Sequence, residues 1–335
     1  MGTRRLAAAL VASAALLAGG AASAQPACPA FRWTTLGTAG GPVPTVDRSE
    51  PANLLVAGDR TILVDAGDGT AGQLARAGRD LSAVEAVFLS HLHLDHSGGL
   101  AAVIGLRWMN QFPGKLTVYG PPGTREVVDG IVASMAPPGR IGFALGKAPP
   151  PPAGSVDVVE LDGTRPVSLG KLRVTPVRNS HFDVRGDAAA APGLSLSYRF
   201  DLGGRAITYT GDTGPSAAVE ALAKGSDLLV SEVIDLDRLL ASIEARRTDA
   251  TPEVRAQRRE HLSTHHLTGT DIGTLARRAG VARVVLTHFA IPGLLAESEP
   301  DLRRDIGRSY SGPLDLARDL SSFDVGCQDA ARGGG

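Results

Sequence analysis

Cysteine, methionine and aromatic residues are scarce in this 335-residue chain, which has 2 Cys, 3 Met and 4% aromatic residues. The two cysteines, Cys28 and Cys327, lie near opposite ends of the sequence, so cysteine is disfavoured as a metal ligand. In an oxidising compartment this placement favours a disulfide that ties the two ends together. Two unpaired buried thiols are the alternative.

A surplus of positive charge is also missing, since 34 Lys and Arg face 35 Asp and Glu, for a net charge of −1. Proteins that grip nucleic acid usually show a basic excess, because neutralising phosphates drives that binding. The balance therefore disfavours nucleic acid as a partner. A hydrophobic fraction of 43% is typical of a soluble globular protein with a large core, and the length allows one or two domains.

The first two dozen residues have the pattern of an export signal. Arg4 and Arg5 precede an apolar run from Leu6 to Ala18, and Ala22-Ser23-Ala24 is a small-x-small cleavage site. We predict a signal peptide over residues 1–24 and a periplasmic or secreted protein, with a buried N-terminal helix as the alternative. The run is too short to span a bilayer comfortably, and no later segment is long and apolar enough, so no membrane association is expected after cleavage.

Short apolar strands alternate with helices on both sides of a proline-rich loop near 148–154, which contains Pro149 to Pro152. Because candidate ligands fall on both sides of this loop, we predict one domain over 25–335 with a layered α/β architecture. Strands are predicted over 53–56, 61–65, 86–90, 116–119, 172–176, 194–200, 206–210, 228–231 and 284–287, and helices over 70–76, 123–134, 216–224 and 271–279, the last capped by Thr270.

The densest group of candidate ligands is His91-Leu92-His93-Leu94-Asp95-His96, which directly follows an apolar strand. Imidazole and carboxylate suit Zn²⁺ and related divalent ions. A tight turn after a strand can aim alternate side chains in opposite directions, and Gly98-Gly99 lets the backbone approach the site. A histidine-rich surface turn is the alternative interpretation.

His91-x-His93-x-Asp95-His96 resembles the defining motif of the metallo-β-lactamase superfamily. The resemblance extends over Leu36 to Ala290 and implies the four-layer αβ/βα sandwich of that fold. It is carried further by Asp65-Ala66-Gly67-Asp68-Gly69, Gly211-Asp212-Thr213 and Leu286-Thr287-His288-Phe289, with His181 where a middle histidine is expected.

The resemblance implies two divalent metal ions, with zinc favoured and manganese or iron as alternatives, and hydrolysis by a metal-bridging hydroxide. Asp95 is then both a ligand and a catalytic residue, and Asp65 is expected to hydrogen-bond a ligand imidazole. The implied ligands are His91, His93 and His181 for one ion, Asp95, His96 and His288 for the other, and Asp212 between them.

Asp212 and the C-terminal motifs narrow the resemblance. True β-lactamases of this fold lack a bridging aspartate, whereas phosphodiesterases, arylsulfatases, glyoxalase II and lactonases have one. His266-Leu267-Thr268 is similar to the tail of the ribonuclease Z branch. This likeness implies that His266 donates a proton to the leaving group and that Glu232 orients it, while His261 and His265 are expected to be solvated.

Export, balanced charge and the lack of a recognisable tRNA-gripping arm argue against tRNA processing. We therefore expect an exported binuclear hydrolase of a small anionic ester, either a phosphodiester or an aryl sulfate. A lactonase or thioesterase is the alternative, followed by a non-catalytic binding protein. A homodimer is compatible with the resemblance. Trp33, Trp108 and Tyr119 are candidate aromatic walls for the substrate, with the core as the competing position for Trp108.

Overall fold

Two seven-stranded β-sheets pack face to face, and helices cover the outer face of each sheet. The computed structural model describes residues 28–41, 43–142, 149–184 and 193–326. The predicted signal peptide and Cys327 lie outside these residues, so export and the pairing with Cys28 stay predictions. Within the described ranges, no helix has the length and apolar character needed to cross a membrane.

The first sheet is built from the N-terminal half of the chain and one C-terminal strand, in the order β14-β1-β2-β3-β4-β5-β6. The pairs among β14, β1, β2 and β3 are antiparallel, and those from β3 to β6 are parallel. The strands are β1 (Phe31–Gly37), β2 (Ala52–Ala57), β3 (Arg60–Ala66), β4 (Ala86–Phe88), β5 (Leu116–Gly120), β6 (Val156–Glu160) and β14 (Ser321–Asp324).

The second sheet repeats this arrangement in the order β13-β12-β11-β10-β9-β8-β7. Neighbouring strands from β7 to β10 are antiparallel, and neighbouring strands from β10 to β13 are parallel. The strands are β7 (Val167–Leu169), β8 (Leu172–Arg178), β9 (Leu196–Leu202), β10 (Arg205–Tyr209), β11 (Leu228–Ile234), β12 (Val284–Ala290) and β13 (Leu314–Leu316).

Ten α-helices lie in the described ranges, and two short 3₁₀ turns cover Leu81–Ala83 and Pro152–Ser155. The second of these 3₁₀ turns places part of the proline-rich loop beside α3, where Trp108 Nε1 donates to the Pro150 carbonyl at 2.7 Å. The helices are α1 (Thr70–Arg76), α2 (Leu94–Ser97), α3 (Leu100–Met109), α4 (Thr124–Ser134), α5 (Ala136–Ile141), α6 (Ala217–Ala223), α7 (Leu236–Arg246), α8 (Pro252–His265), α9 (Gly269–Ala279) and α10 (Leu295–Gly307).

The core is divided into three layers by the two sheets. Between the sheets, Trp33 packs 5.9 Å from Phe200 and Phe88 packs 5.5 Å from Tyr198, measured between ring centroids. A second layer lies between the first sheet and α1, α3 and α4, and a third between the second sheet and α6, α9 and α10. Strands β2, β11 and β12 are buried along their whole length, as expected for strands covered on both faces. The predicted α/β sandwich is confirmed.

The predicted aromatic walls belong to this core. Trp33 is fully buried and donates to Asn53 Oδ1 at 3.1 Å, and Trp108 is 4% exposed. Tyr119 stacks on Phe88 with ring centroids 4.5 Å apart. Each ring packs against neighbouring elements because a large apolar surface is most stable when buried. For Trp33 and Trp108 the prediction of a substrate wall was therefore wrong, and the core alternative for Trp108 is confirmed. Tyr119 is half-buried, so its role as a wall stays a prediction.

Candidate active site

Three histidines form the first group of potential metal ligands at the end of the sheet sandwich. The loop after β4 carries His91 and His93, and the loop after β8 carries His181. His93 Nδ1 lies 2.9 Å from His91 Nε2 and 3.4 Å from His181 Nε2. Three ring nitrogens from two distant segments thus converge on one point, which is a set that could hold a divalent cation.

The second group lies beside the first and contains Asp95, His96, His288 and Asp212. Asp212 Oδ1 is 3.3 Å from His96 Nε2 and 3.1 Å from His288 Nε2. Asp95 Oδ2 is 3.6 Å from the same nitrogen of His96 and 3.8 Å from that of His288. Asp212 also joins His91 and His96 in a set of atoms within 4.8 Å of one another, so it lies between the two groups.

Several buried atoms that face into this site lie close to one another but are not aligned to form a hydrogen bond with any described residue. They are His96 Nε2, Asp212 Oδ1 and His288 Nε2. A buried polar atom with no partner carries a free-energy cost and calls for an explanation. Imidazole nitrogen and carboxylate oxygen are suitable donors to a divalent metal, and a cation placed among these atoms would satisfy all three. The residues therefore fit a metal.

Protonation follows the same division into two groups. Burial lowers the pKa of His91 well below its usual range and that of His181 to about 3, so both rings are neutral, as metal ligands must be. Burial also disfavours charge on His96 and His288, but Asp212 raises the pKa of both. The carboxylates that favour protons on these rings would equally favour a metal cation, whose binding would displace those protons.

Asp65, at the end of β3, supports the second group of ligands through a contact with His96. Its Oδ2 lies 2.9 Å from His96 Nδ1 and accepts from Tyr209 OH at 2.8 Å, while Ser90 donates to both oxygens through its N–H and its hydroxyl. Such a carboxylate fixes the tautomer and the direction of the ring, leaving Nε2 for the metal. The predicted contact between Asp65 and a ligand imidazole is confirmed.

Two strained residues and two glycines shape the loops around the site. Asp65 (φ 59°) and His288 (φ 43°) lie in the left-handed region, which is uncommon for non-glycine residues. A Cβ on Gly99 would collide with the Gly67 carbonyl oxygen, and one on Gly67 with the Asp95 carbonyl oxygen. Glycine at these positions lets the ligand turn pack directly on the end of β3.

His266 and Glu232 form a buried pair next to both groups of ligands. His266 Nδ1 lies 2.7 Å from Glu232 Oε2, and the fully buried Glu232 also accepts from the Thr213 N–H at 2.5 Å. A nitrogen of His266 lies within 4.8 Å of the ligand atoms of His181 and Asp212. Burial opposes a charge on His266, but the Glu232 carboxylate raises its pKa to about 9. The ring therefore carries a proton at neutral pH, beside the candidate metal ligands.

All nine residues that the sequence assigns to metal binding or catalysis lie in this one region, although their individual roles stay predictions. His265 is only partly solvated: its carbonyl accepts from His181 Nδ1 at 3.0 Å, and its Nε2 donates to the Asp183 carbonyl at 2.9 Å. His261 is exposed, as predicted.

Sequence reasoning missed three groups near the site. Tyr209 bonds Asp65, and its position in the strand that leads to Asp212 was an available signal. Phe182 packs against His181 with ring centroids 4.7 Å apart, and adjacency to that histidine could have indicated it. Glu50 is buried near Asp95 with one carboxylate oxygen lacking a hydrogen-bond partner among the described residues, and no local motif identifies it.

The chain matches the family model described as "Beta-lactamase superfamily domain" over residues 60–289. It is 33% identical over 303 residues to a ribonuclease Z of Mycobacterium marinum, covering 87% of this chain and 98% of that protein. A ribonuclease Z of Mycobacterium avium is 32% identical over 302 residues, with 87% and 97% covered.

Solved structures share the fold at lower identity. The metallo-beta-lactamase fold protein YhfI from Bacillus subtilis aligns with a TM-score of 0.64 and 19% identity, covering 88% of this chain and all of that one. The short form of human tRNase Z aligns with a TM-score of 0.60 and 20% identity, again over 88% of this chain and all of that one.

These relatives correct two expectations. They are named as ribonucleases, so the prediction of a hydrolase of small anionic esters was wrong, as was its lactonase or thioesterase alternative. The inference that nucleic acid is disfavoured as a partner was also wrong. Its physical flaw is that a formal charge sum counts neither protonated histidines nor a bound cation, and does not report how charge is distributed locally.

The family match spans the strands and loops that carry Asp65, His91 to His96, His181, Asp212, Glu232, His266 and His288. The ribonuclease Z relatives match along nearly their whole length. This chain belongs to the metallo-β-lactamase superfamily of hydrolases, in its ribonuclease Z branch.

Proposed function

We propose that this protein is a metal-dependent ribonuclease that hydrolyses a phosphodiester bond of RNA, with precursor tRNA as the first substrate to test. The observation that carries the proposal is the position of the His266–Glu232 pair, whose imidazole lies within 4.8 Å of the candidate ligands His181 and Asp212. A proton donor is thereby held beside a cation site. The named activity of the Mycobacterium relatives supports RNA as the substrate.

Two divalent ions, with zinc favoured, would be held by the two groups of ligands, and Asp212 would contact both. Histidine with carboxylate is a donor set that suits zinc better than magnesium or calcium, which prefer oxygen alone. When bound, such ions supply an activated water as nucleophile and neutralise the charge that develops on the phosphodiester.

His266 would then protonate the ribose oxygen that leaves when the phosphorus–oxygen bond breaks. Because Nδ1 is committed to Glu232, the Nε2 proton is the one available to the leaving oxygen. The Glu232 carboxylate stabilises the protonated ring before the reaction, and the Thr213 N–H holds that carboxylate in place.

The proposal is tested with purified, zinc-loaded protein and tRNA precursors that carry either a 5′ or a 3′ extension, with mature tRNA as the reference. We expect single-site cleavage of one precursor, lost on chelation and restored by added zinc. Mapping both product ends identifies the bond that is broken. The His93→Ala variant serves as the control against a contaminating ribonuclease, and cleavage that it retains in full, or no cleavage of any RNA by the wild type, would reject the proposal.

A further inference from the structure

A cleft of about 580 Å³ opens beside the metal-ligand groups, between the segment 180–184 and the C-terminal half of α8. Its volume is within the range of small-molecule binding sites. We call it the Phe182 cleft. It is lined by Ser180, His181, Phe182, Asp183, Val184, Gln257, Glu260, His261, Thr264 and His265.

The cleft is continuous with the candidate active site because His181 belongs to both. The Phe182 ring, half-buried, lies 4.7 Å from the ring of His181 and 5.1 Å from that of His93, the latter at 90°. A group bound against Phe182 is therefore close to a phosphate bound at the ligand groups.

Hydrogen bonds tie the two walls of the cleft together at its base. The His265 carbonyl on α8 accepts from His181 Nδ1 at 3.0 Å, and the His265 ring donates to the Asp183 carbonyl at 2.9 Å. One hydrogen bond is donated from each wall to the other, so the spacing between the walls is fixed before any ligand arrives. This reduces the entropy lost on binding.

The chemistry of the lining favours a nucleobase over a phosphate. No Lys or Arg is found among the described residues that line the cleft, and the carboxylate of Asp183 is already paired with Arg178 at 3.3 Å, so the lining offers no cation of its own to an anionic group. Phe182 offers an aromatic face, and Gln257 and Thr264 offer amide and hydroxyl groups that can pair with a base edge. Unpaired RNA bases are commonly bound by stacking on an aromatic ring combined with such polar contacts.

We propose that the Phe182 cleft binds one unpaired nucleobase directly adjacent to the scissile phosphate, with Phe182 as the stacking surface. This rests on the proposed function, since it assigns a subsite to the same RNA substrate. The base would add affinity and place its own phosphodiester among the metal-ligand groups.

The test uses an RNA that the wild-type protein cleaves, together with two versions in which the nucleotide on the 5′ or the 3′ side of the scissile bond is abasic. For the wild type we expect KM to rise about 10-fold for one of the two abasic RNAs, the scale of one lost base–aromatic stack. In Phe182→Ala the ratio of the KM for that abasic RNA to the KM for the intact RNA should fall toward one. Phe182→Tyr keeps an aromatic ring and should therefore keep the wild-type KM ratio.

The ratio between two substrates is insensitive to the total amount of active protein, so a partial loss of metal in Phe182→Ala does not obscure it. Equal KM values for all three RNAs with the wild type, or an unchanged ratio in Phe182→Ala, would overturn the subsite while leaving the ribonuclease proposal intact. No cleavage of any RNA would instead overturn the proposed function itself.

Discussion

The Nδ1 atom of His266 lies 2.7 Å from Oε2 of Glu232, whose other oxygen accepts from the backbone N–H of Thr213. Glu232 is fully buried, so its negative charge acts on the imidazole with little screening by water. The pair thus fixes both the orientation and the charge of the candidate proton donor.

Glu232→Gln tests how that charge controls the pH range of activity. Burial lowers the pKa of His266, and the Glu232 carboxylate more than compensates, raising it to about 9. The protonated ring is therefore present below about pH 9, and a rate that needs it falls as the pH rises through that value. Glutamine keeps the shape but removes the charge, so burial should move the alkaline limb of kcat/KM to lower pH by about one unit or more. An alkaline limb that stays in place would show that His266 is not the group that titrates.

His266→Ala and His93→Ala separate proton donation from metal binding. Loss of a general acid should lower kcat about 10²–10⁴-fold without changing metal content. His93→Ala removes one of three converging nitrogens and should lower both metal content and turnover. Metal analysis beside single-turnover kinetics gives both readouts. A fall in metal content for His266→Ala would assign that ring to metal binding instead.

Much of the site could be predicted from sequence because its parts follow strand ends. The ligand turn at His91 to His96 comes directly after β4, and Asp65 and Asp212 come at the ends of β3 and β10. Carboxyl ends of neighbouring parallel strands meet at one edge, so local motifs imply a common location. Helix caps are less predictable, since α9 is capped by Thr268 through a capping box with Asp271 and not by Thr270.

The substrate and its subsite could not be predicted in the same way. The Phe182 cleft forms where the loop after β8 meets α8, a helix far from it in sequence, and no periodicity relates Phe182 to Gln257. Trp33 shows the converse, because an aromatic residue suitable for a substrate wall is fully buried between the sheets. Composition alone does not determine which aromatic ring faces the site.

Asp65→Asn tests the support behind the second group of ligands. The asparagine amide cannot accept all the hydrogen bonds that Asp65 accepts from Ser90, His96 and Tyr209. We expect zinc affinity to fall about 10–100-fold, measured by competition with a chromogenic chelator. Tyr209→Phe removes one hydrogen-bond donor and leaves the other contacts of Asp65, so its zinc affinity should fall less than that of Asp65→Asn. Wild-type affinity in Asp65→Asn would mean that the His96 ring is held by packing alone.

Gly214→Ala tests the packing that places His266. A Cβ at position 214 would collide with the Thr264 carbonyl oxygen near the end of α8, two residues before His266. Because Thr213 holds Glu232, relief of that collision must move the loop, the end of α8 or both, and each movement disturbs the His266–Glu232 pair. We expect a loss of about 1–3 kcal/mol in the free energy of unfolding, together with a lower kcat.

Gly130→Ala is the matched control for that substitution. Gly130 lies within α4, and a Cβ there meets no other atom within 4 Å. Alanine should raise the free energy of unfolding by about 0.5–1 kcal/mol, because it restricts the unfolded chain and favours the helix, with no effect on RNA cleavage. Urea unfolding and single-turnover kinetics on both variants make the comparison. If Gly214→Ala matched Gly130→Ala in both measurements, the loop and the end of α8 would tolerate an added methyl group, and the position of His266 would have to depend on Glu232 alone.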